Sequence, residues 1–143
     1  MSDLSMFLKK NKKIRENAFY PATKSLLDEV GKPLMWEIKP LTTAIDESIR
    51  EQCTEDALVE GKNNTYRSKI NVNRYMAMQM VAAVVFPNLH DAALQDSYGV
   101  KKPEDLLHEM IDSPGEYIDF GNFIRKHSGF DTDMETEVEK AKN

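Results

Sequence analysis

The sequence predicts a predominantly α-helical α+β fold: a compact bundle of about five or six helices with a small N-terminal antiparallel β-hairpin near residues 24–39. Three observations carry that expectation. Leu34, Trp36 and Ile38 alternate with Met35, Glu37 and Lys39, the period of a half-buried strand. The run MAMQMVAAVVF, residues 76–86, is apolar almost all round, as a helix in the middle of a core is. Residues 89–130 are punctuated by residues that start and stop helices.

With 143 residues the chain suits one domain. A chain of that length buries roughly 70% of its unfolded surface and needs no covalent staple. Residues 1–130 are expected to form the domain, with 1–18 as a basic N-terminal helix. Residues 131–143 hold five acidic and two basic side chains and are expected to be disordered.

The segment 3–17 carries Lys9, Lys10, Lys12, Lys13 and Arg15 beside Leu4, Phe7, Leu8 and Ile14, which suits a short amphipathic helix. Its lysines read as a solvated face, since no aromatic or glycine interleaving supports base stacking. Gly31 in EVGK supplies a turn with positive φ, and Leu26 and its neighbours are the expected partner of the strand at Trp36. Pro40 ends that strand because it lacks an amide hydrogen.

Thr42 or Thr43 caps the next helix, with Ile45, Ile49, Cys53 and Leu58 near one face and an end expected at Gly61. Residues 62–69 read as a polar loop. Asn71 or Asn73 caps a helix over 74–86, which Pro87 terminates. Asn88 or Asp91 starts a short helix that stops at Gly99, with Val100 folding back on Leu94. Pro103 opens another, whose apolar face is Leu106, Leu107, Met110 and Ile111. Ser113-Pro114-Gly115-Glu116 is the strongest local signal: Ser113 caps, Pro114 is the first helical residue, and Glu116 completes a capping box. Gly129 ends that last helix, and Phe130 packs back on Ile124.

Chemistry finds little foothold in this pattern. Glu104 and His108 share a helix face, but a metal site needs three or four protein ligands. His90 beside Asp91 reads as a surface or capping residue, and His127 as a group that suits a helix C-terminus. Cys53 falls on an apolar helix face, as a small buried residue does, and being the single cysteine it forms no internal disulfide, which fits a reducing cytoplasm. GVKKPED lacks the rest of a phosphate loop. No catalytic residue, metal or cofactor is expected. The net charge of −5 argues against general nucleic-acid binding, the longest apolar run is too short to cross a bilayer, and the start has no signal-peptide core.

Several stretches, taken in order, resemble one family. They are Phe7-Leu8-Lys9 with Asn11, Trp36-Glu37-Ile38-Lys39-Pro40-Leu41-Thr42, Leu94-Gln95-Asp96-Ser97-Tyr98-Gly99-Val100, Gly115-Glu116-Tyr117 and Gly129-Phe130. Their order and spacing from about residue 4 to 130 are similar to the XkdN-like tail assembly chaperones of bacteriophages and prophages. The resemblance implies a small protein of the bacterial host cytoplasm that binds the tape measure protein and keeps it soluble until tail tube subunits polymerise around it. It further implies a chain absent from the mature virion and no catalytic residues to transfer; the tail tube protein is a further candidate partner, and so is the chain itself, since several copies must coat one long client. An amphipathic client helix suits a helix-in-groove contact, for which Trp36, Tyr98, Tyr117, Phe120 and Phe130 are the candidate anchors. The competing readings are a structural or connector component of the tail and a small metal protein or enzyme around His90, His108 and Cys53.

Overall fold

The computed structural model describes residues 4–131. After an arm, residues 4–17, the order is β1 (Ala18–Tyr20), β2 (Trp36–Ile38), α1 (Thr43–Cys53), β3 (Thr54–Leu58), β4 (Tyr66–Ile70), α2 (Val72–Ala83), β5 (Val84–Phe86), α3 (Ala92–Ser97), α4 (Pro103–Met110) and α5 (Pro114–His127). The described residues thus hold five helices and two small antiparallel sheets, a mixed α+β architecture and not a helical bundle.

The alternation at Trp36 does make a strand, but its partners differ from the expected hairpin. β2 lies in the centre of a three-stranded sheet, paired on one side with β1 and on the other with β5. Leu26 and its neighbours close only a tight turn: the Leu34 amide donates to the Leu26 carbonyl at 2.8 Å, and Leu27 bridges Pro33. Gly31 sits there at φ +85°, and the Asp28 carboxylate accepts from the amides of Val30 and Lys32. Long-range pairing wins because it buries Trp36 and Ile38, which a local hairpin would leave exposed.

Four further expectations are corrected. The arm is not an α-helix; it shows two 3₁₀ turns, Leu4–Phe7 and Lys9–Asn11, and its apolar side chains stand exposed, which leaves a helix this short marginal. The helix α1, capped by the Thr42 hydroxyl at 3.2 Å from the Ile45 amide, stops at Cys53, not Gly61. The segment beyond it is an antiparallel hairpin, β3–β4, so the expected loop at 62–69 contains a strand, and Gly61 (φ +79°) belongs to its turn. Helix α2 ends at Ala83, and Val84–Phe86 continues as β5.

The second half follows the punctuation closely. Asp91 caps α3, the Val100 amide returns to the Gln95 carbonyl, and Gly99 has φ +71°. Pro103 opens α4. Ser113 caps α5 by accepting from the Glu116 amide, and Gly129 at φ +93° ends it. The capping box is only half made. The Glu116 carboxylate reaches across the fold to the Thr23 hydroxyl and the Lys24 amide, each at 2.8 Å. Those two bonds, the Lys24 amide first, hold its pKa below the ordinary value.

The core lies between the inner face of the sheet and helices α2, α4 and α5. Trp36, Ile38, Met80, Leu106, Leu107, Ile111, Phe120 and Ile124 are all buried there. Trp36 meets Phe120 edge-on with ring centres 5.5 Å apart, and Tyr20 stacks on Phe120 and Phe123 at 5.6 and 4.4 Å. A satellite cluster of Ile49, Cys53 and Tyr75 joins α1 to α2.

Candidate interaction surfaces

A buried polar chain sets how α1, α2 and α5 stand. On α1, one Asp46 carboxylate oxygen accepts from the Tyr75 hydroxyl at 2.6 Å and from the Gln79 amide nitrogen at 3.0 Å; the other accepts from Arg50 Nε at 3.0 Å. The Gln79 carbonyl oxygen accepts from the buried Arg125 guanidinium at 2.7 Å. Arg125 also lies 4.2 Å over the Phe130 ring, and Arg50 4.7 Å over that of Tyr75. Burial alone would push the Asp46 carboxyl up; the bonds from Tyr75, Arg50 and Gln79 outweigh it and hold the group below its usual value. Burial, then the bond to Asp46, raises the Tyr75 phenol to about 12. The two shifts keep Asp46 ionised and Tyr75 protonated near neutrality, which suits a structural tie rather than proton transfer.

Two surfaces are left open around this frame. The first is a cleft of about 470 Å³ along α1, floored by Ile45, Ile49, Met78, Val81 and Ala82, with Glu104 on its α4 side. The second is the outer face of the three-stranded sheet. Phe19 faces Glu37 and Glu37 faces Phe86 across the strands, in one row. The register slips by one between Glu37 and Ile38, leaving Val85 as an extra residue. That bulge lets Val84 pack against the core while Phe86 stands 64% exposed on the outside; Phe19 is 60% exposed. Met35 adds to the same face.

The sequence-predicted anchors lie elsewhere. Trp36 and Phe120 are buried in the core. Tyr98, Tyr117 and Phe130 are half-buried, the first two packed against the core and the third beneath Arg125. Burial raises the Tyr117 phenol to about 12, and its hydroxyl lies 3.3 Å from His108 Nε2. The structure does not bring the five into one patch. Phe19 and Phe86 were missed because Phe19 stands in no alternating run and Phe86 reads as the end of a buried helix. The β-branched pair Val84-Val85 ahead of Phe86 and Pro87 was the available strand signal.

The proposed chemical residues do not meet either. His90 lines the α1 cleft, His108 pairs with Tyr117, and Cys53 is buried with its thiol 3.5 Å from the Met78 sulfur. Among the described residues no three His, Cys, Asp or Glu side chains gather as metal ligands would, and no helix is long and apolar enough to cross a membrane.

The chain is 24% identical over 141 residues to the phage-like element PBSX protein XkdN of Bacillus subtilis (strain 168), covering 99% of this chain and 94% of that one. It is 26% identical over 141 residues to the B. subtilis protein YqbN, with 99% and 93% covered. A crystal structure of the protein yqbn superposes with a TM-score of 0.74 at 22% identity, covering 92% of this chain and 99% of that one, so the fold is shared. The family model for the phage XkdN-like tail assembly chaperone protein matches residues 4–142. With nearly the whole chain matched, the protein belongs to the XkdN-like family of phage tail assembly chaperones.

Proposed function

We propose that this chain binds the tape measure protein and keeps it soluble while the tail is built, acting without catalysis in the host cytoplasm and leaving before the particle is complete. The observation that carries this reading is the placement of exposed apolar groups on an otherwise well-packed domain. Phe19, Met35 and Phe86 share one sheet face, and a second apolar surface runs along α1. Exposed large apolar side chains gathered on one face, here flanking Glu37, mark a place where another chain lies.

A long helical client exposes amphipathic faces that such surfaces can cover. Tyr98, Tyr117 and Phe130 keep part of their rings at the surface and can join a client contact without unfolding. Trp36 and Phe120 act from beneath, holding the sheet in shape. The tail tube protein, which displaces the chaperone as it polymerises, is the further partner.

Co-expression with the tape measure protein tests this. The client's soluble fraction should rise, the two should co-purify, and Phe19→Ser with Phe86→Ser should weaken both effects while leaving the fold intact. No rise and no co-purification overturns the proposal. Recovery of the chain in stoichiometric amount from purified particles would instead make it a structural or connector component.

A further inference from the structure

The arm shows a mismatch between sequence and structure that points to a partner. Leu4, Phe7 and Leu8 stand at i, i+3 and i+4, and Ile14 continues the stripe, the spacing of a helix that lies in a groove. Yet the arm makes only 3₁₀ turns, and these side chains are between 48% (Leu8) and 86% (Phe7) exposed. A helix this short is marginal in water unless something covers its stripe.

The cleft on α1 has the matching shape and charge. It runs from Ala44 to Gln52, about 12 Å at the helical rise, and the stripe from Leu4 to Ile14 would span about 15 Å as a helix. Residues 1–17 hold five basic and two acidic side chains, whereas residues 18–131 hold eighteen acidic and twelve basic. Along the cleft, Glu104 lines one wall, and Glu47 and Glu51 occupy the adjoining row of α1; Arg74, bonded to the Gln52 carbonyl, marks one end. In its own chain the arm does not enter the cleft. It is held at its root, where Arg15 donates to the carbonyls of Leu41 and Ser128 at 3.0 Å each.

We infer that the α1 cleft receives the N-terminal arm of a second copy of this chain, which becomes helical as it docks. Arm and cleft are different surfaces, so each copy gives one and takes one, and the contact propagates head to tail into a row or a ring. This interaction does not rest on client binding and is measured with the pure chain alone.

Light scattering across concentrations from about 1 µM to about 1 mM tests it. Mass should climb with concentration, helical circular dichroism should rise with it, and both should weaken with added salt. Phe7→Ser with Leu8→Ser removes the anchors of the arm, and Ser48→Arg fills the cleft; each variant should stay at monomer mass. Ala44→Arg, on the exposed end of α1, serves as the second cleft variant should Ser48→Arg alter folding. Mixed together, the arm variant and the cleft variant should form a pair that stops at two copies, since one intact arm meets one intact cleft. A chain monomeric at every concentration, assembly that survives both variants, or a mixture that fails to pair overturns the inference. Helicity lost in the arm variant without any change in mass would place the arm in its own cleft and equally overturn it.

Discussion

The two sheets of this molecule solve opposite problems. The hairpin β3–β4 has five residue pairs in perfect register, yet nearly all of its side chains are exposed. The sheet β1–β2–β5 has strands of three residues and a bulge, yet it carries Trp36 and Ile38 into the centre of the core. Backbone pairing alone adds little net stability, because the same groups bond water in the unfolded chain. Burial is what makes the shorter sheet the structural one.

Substitutions can break or sharpen that contrast. The largest effect is expected for Trp36→Ala, which should lower stability by about 3–5 kcal/mol in urea titrations, as large-to-small changes in a packed core do. A loss below about 1 kcal/mol would mean the short sheet is not the frame. Arg125→Leu should remove about 2–3 kcal/mol, because it strands the Gln79 carbonyl oxygen and leaves Phe130 without its cover. Adding Gln79→Leu should recover part of that loss, a non-additivity that a double-mutant cycle reads directly. Gly129→Val should cost more than about 1 kcal/mol, because φ is +93° there.

The Asp46 bonds give an acid-side prediction. Its carboxyl titrates lower in the fold than in the unfolded chain, so its contribution is complete above the ordinary carboxylate range and disappears as pH falls through the lowered value. Asp46→Asn should therefore flatten the acid limb of the stability profile, and an unchanged limb would remove Asp46 from the tie. The smallest effect belongs to the hairpin: Leu58→Ser, at a position 61% exposed, should stay within about 0.5 kcal/mol of the parent by thermal melting.

That contrast also explains what was legible. Elements after residue 88 were readable because their signals are local: Asp91, Pro103, Ser113, Gly99 and Gly129 each act on a backbone a few residues away. The central strand was readable from the alternation at Trp36, but its partners were not, since pairing with Ala18–Tyr20 and Val84–Phe86 is a long-range choice decided by burial. The hairpin was invisible because TEDAL and YRSKI show no clean apolar alternation when neither face is covered. Among the candidate contacts, aromatic side chains serve core and surface alike, and Trp36 and Phe120 lie in the core. Phe19 and Phe86 reach the surface through register and a bulge, which single-residue patterns do not encode.

The root of the arm has a consequence for topology. Arg15 donates to the Ser128 carbonyl, and the His127 Nε2–H donates to the Glu16 carbonyl at 2.8 Å, so the chain enters and leaves the domain at one corner. The joint where the hairpin departs is equally close, with the Asn71 amide 2.8 Å from the Cys53 carbonyl. A circular permutant opened at the hairpin turn and sealed across residues 16 and 128 would keep every core contact, because both joints are already closed by hydrogen bonds.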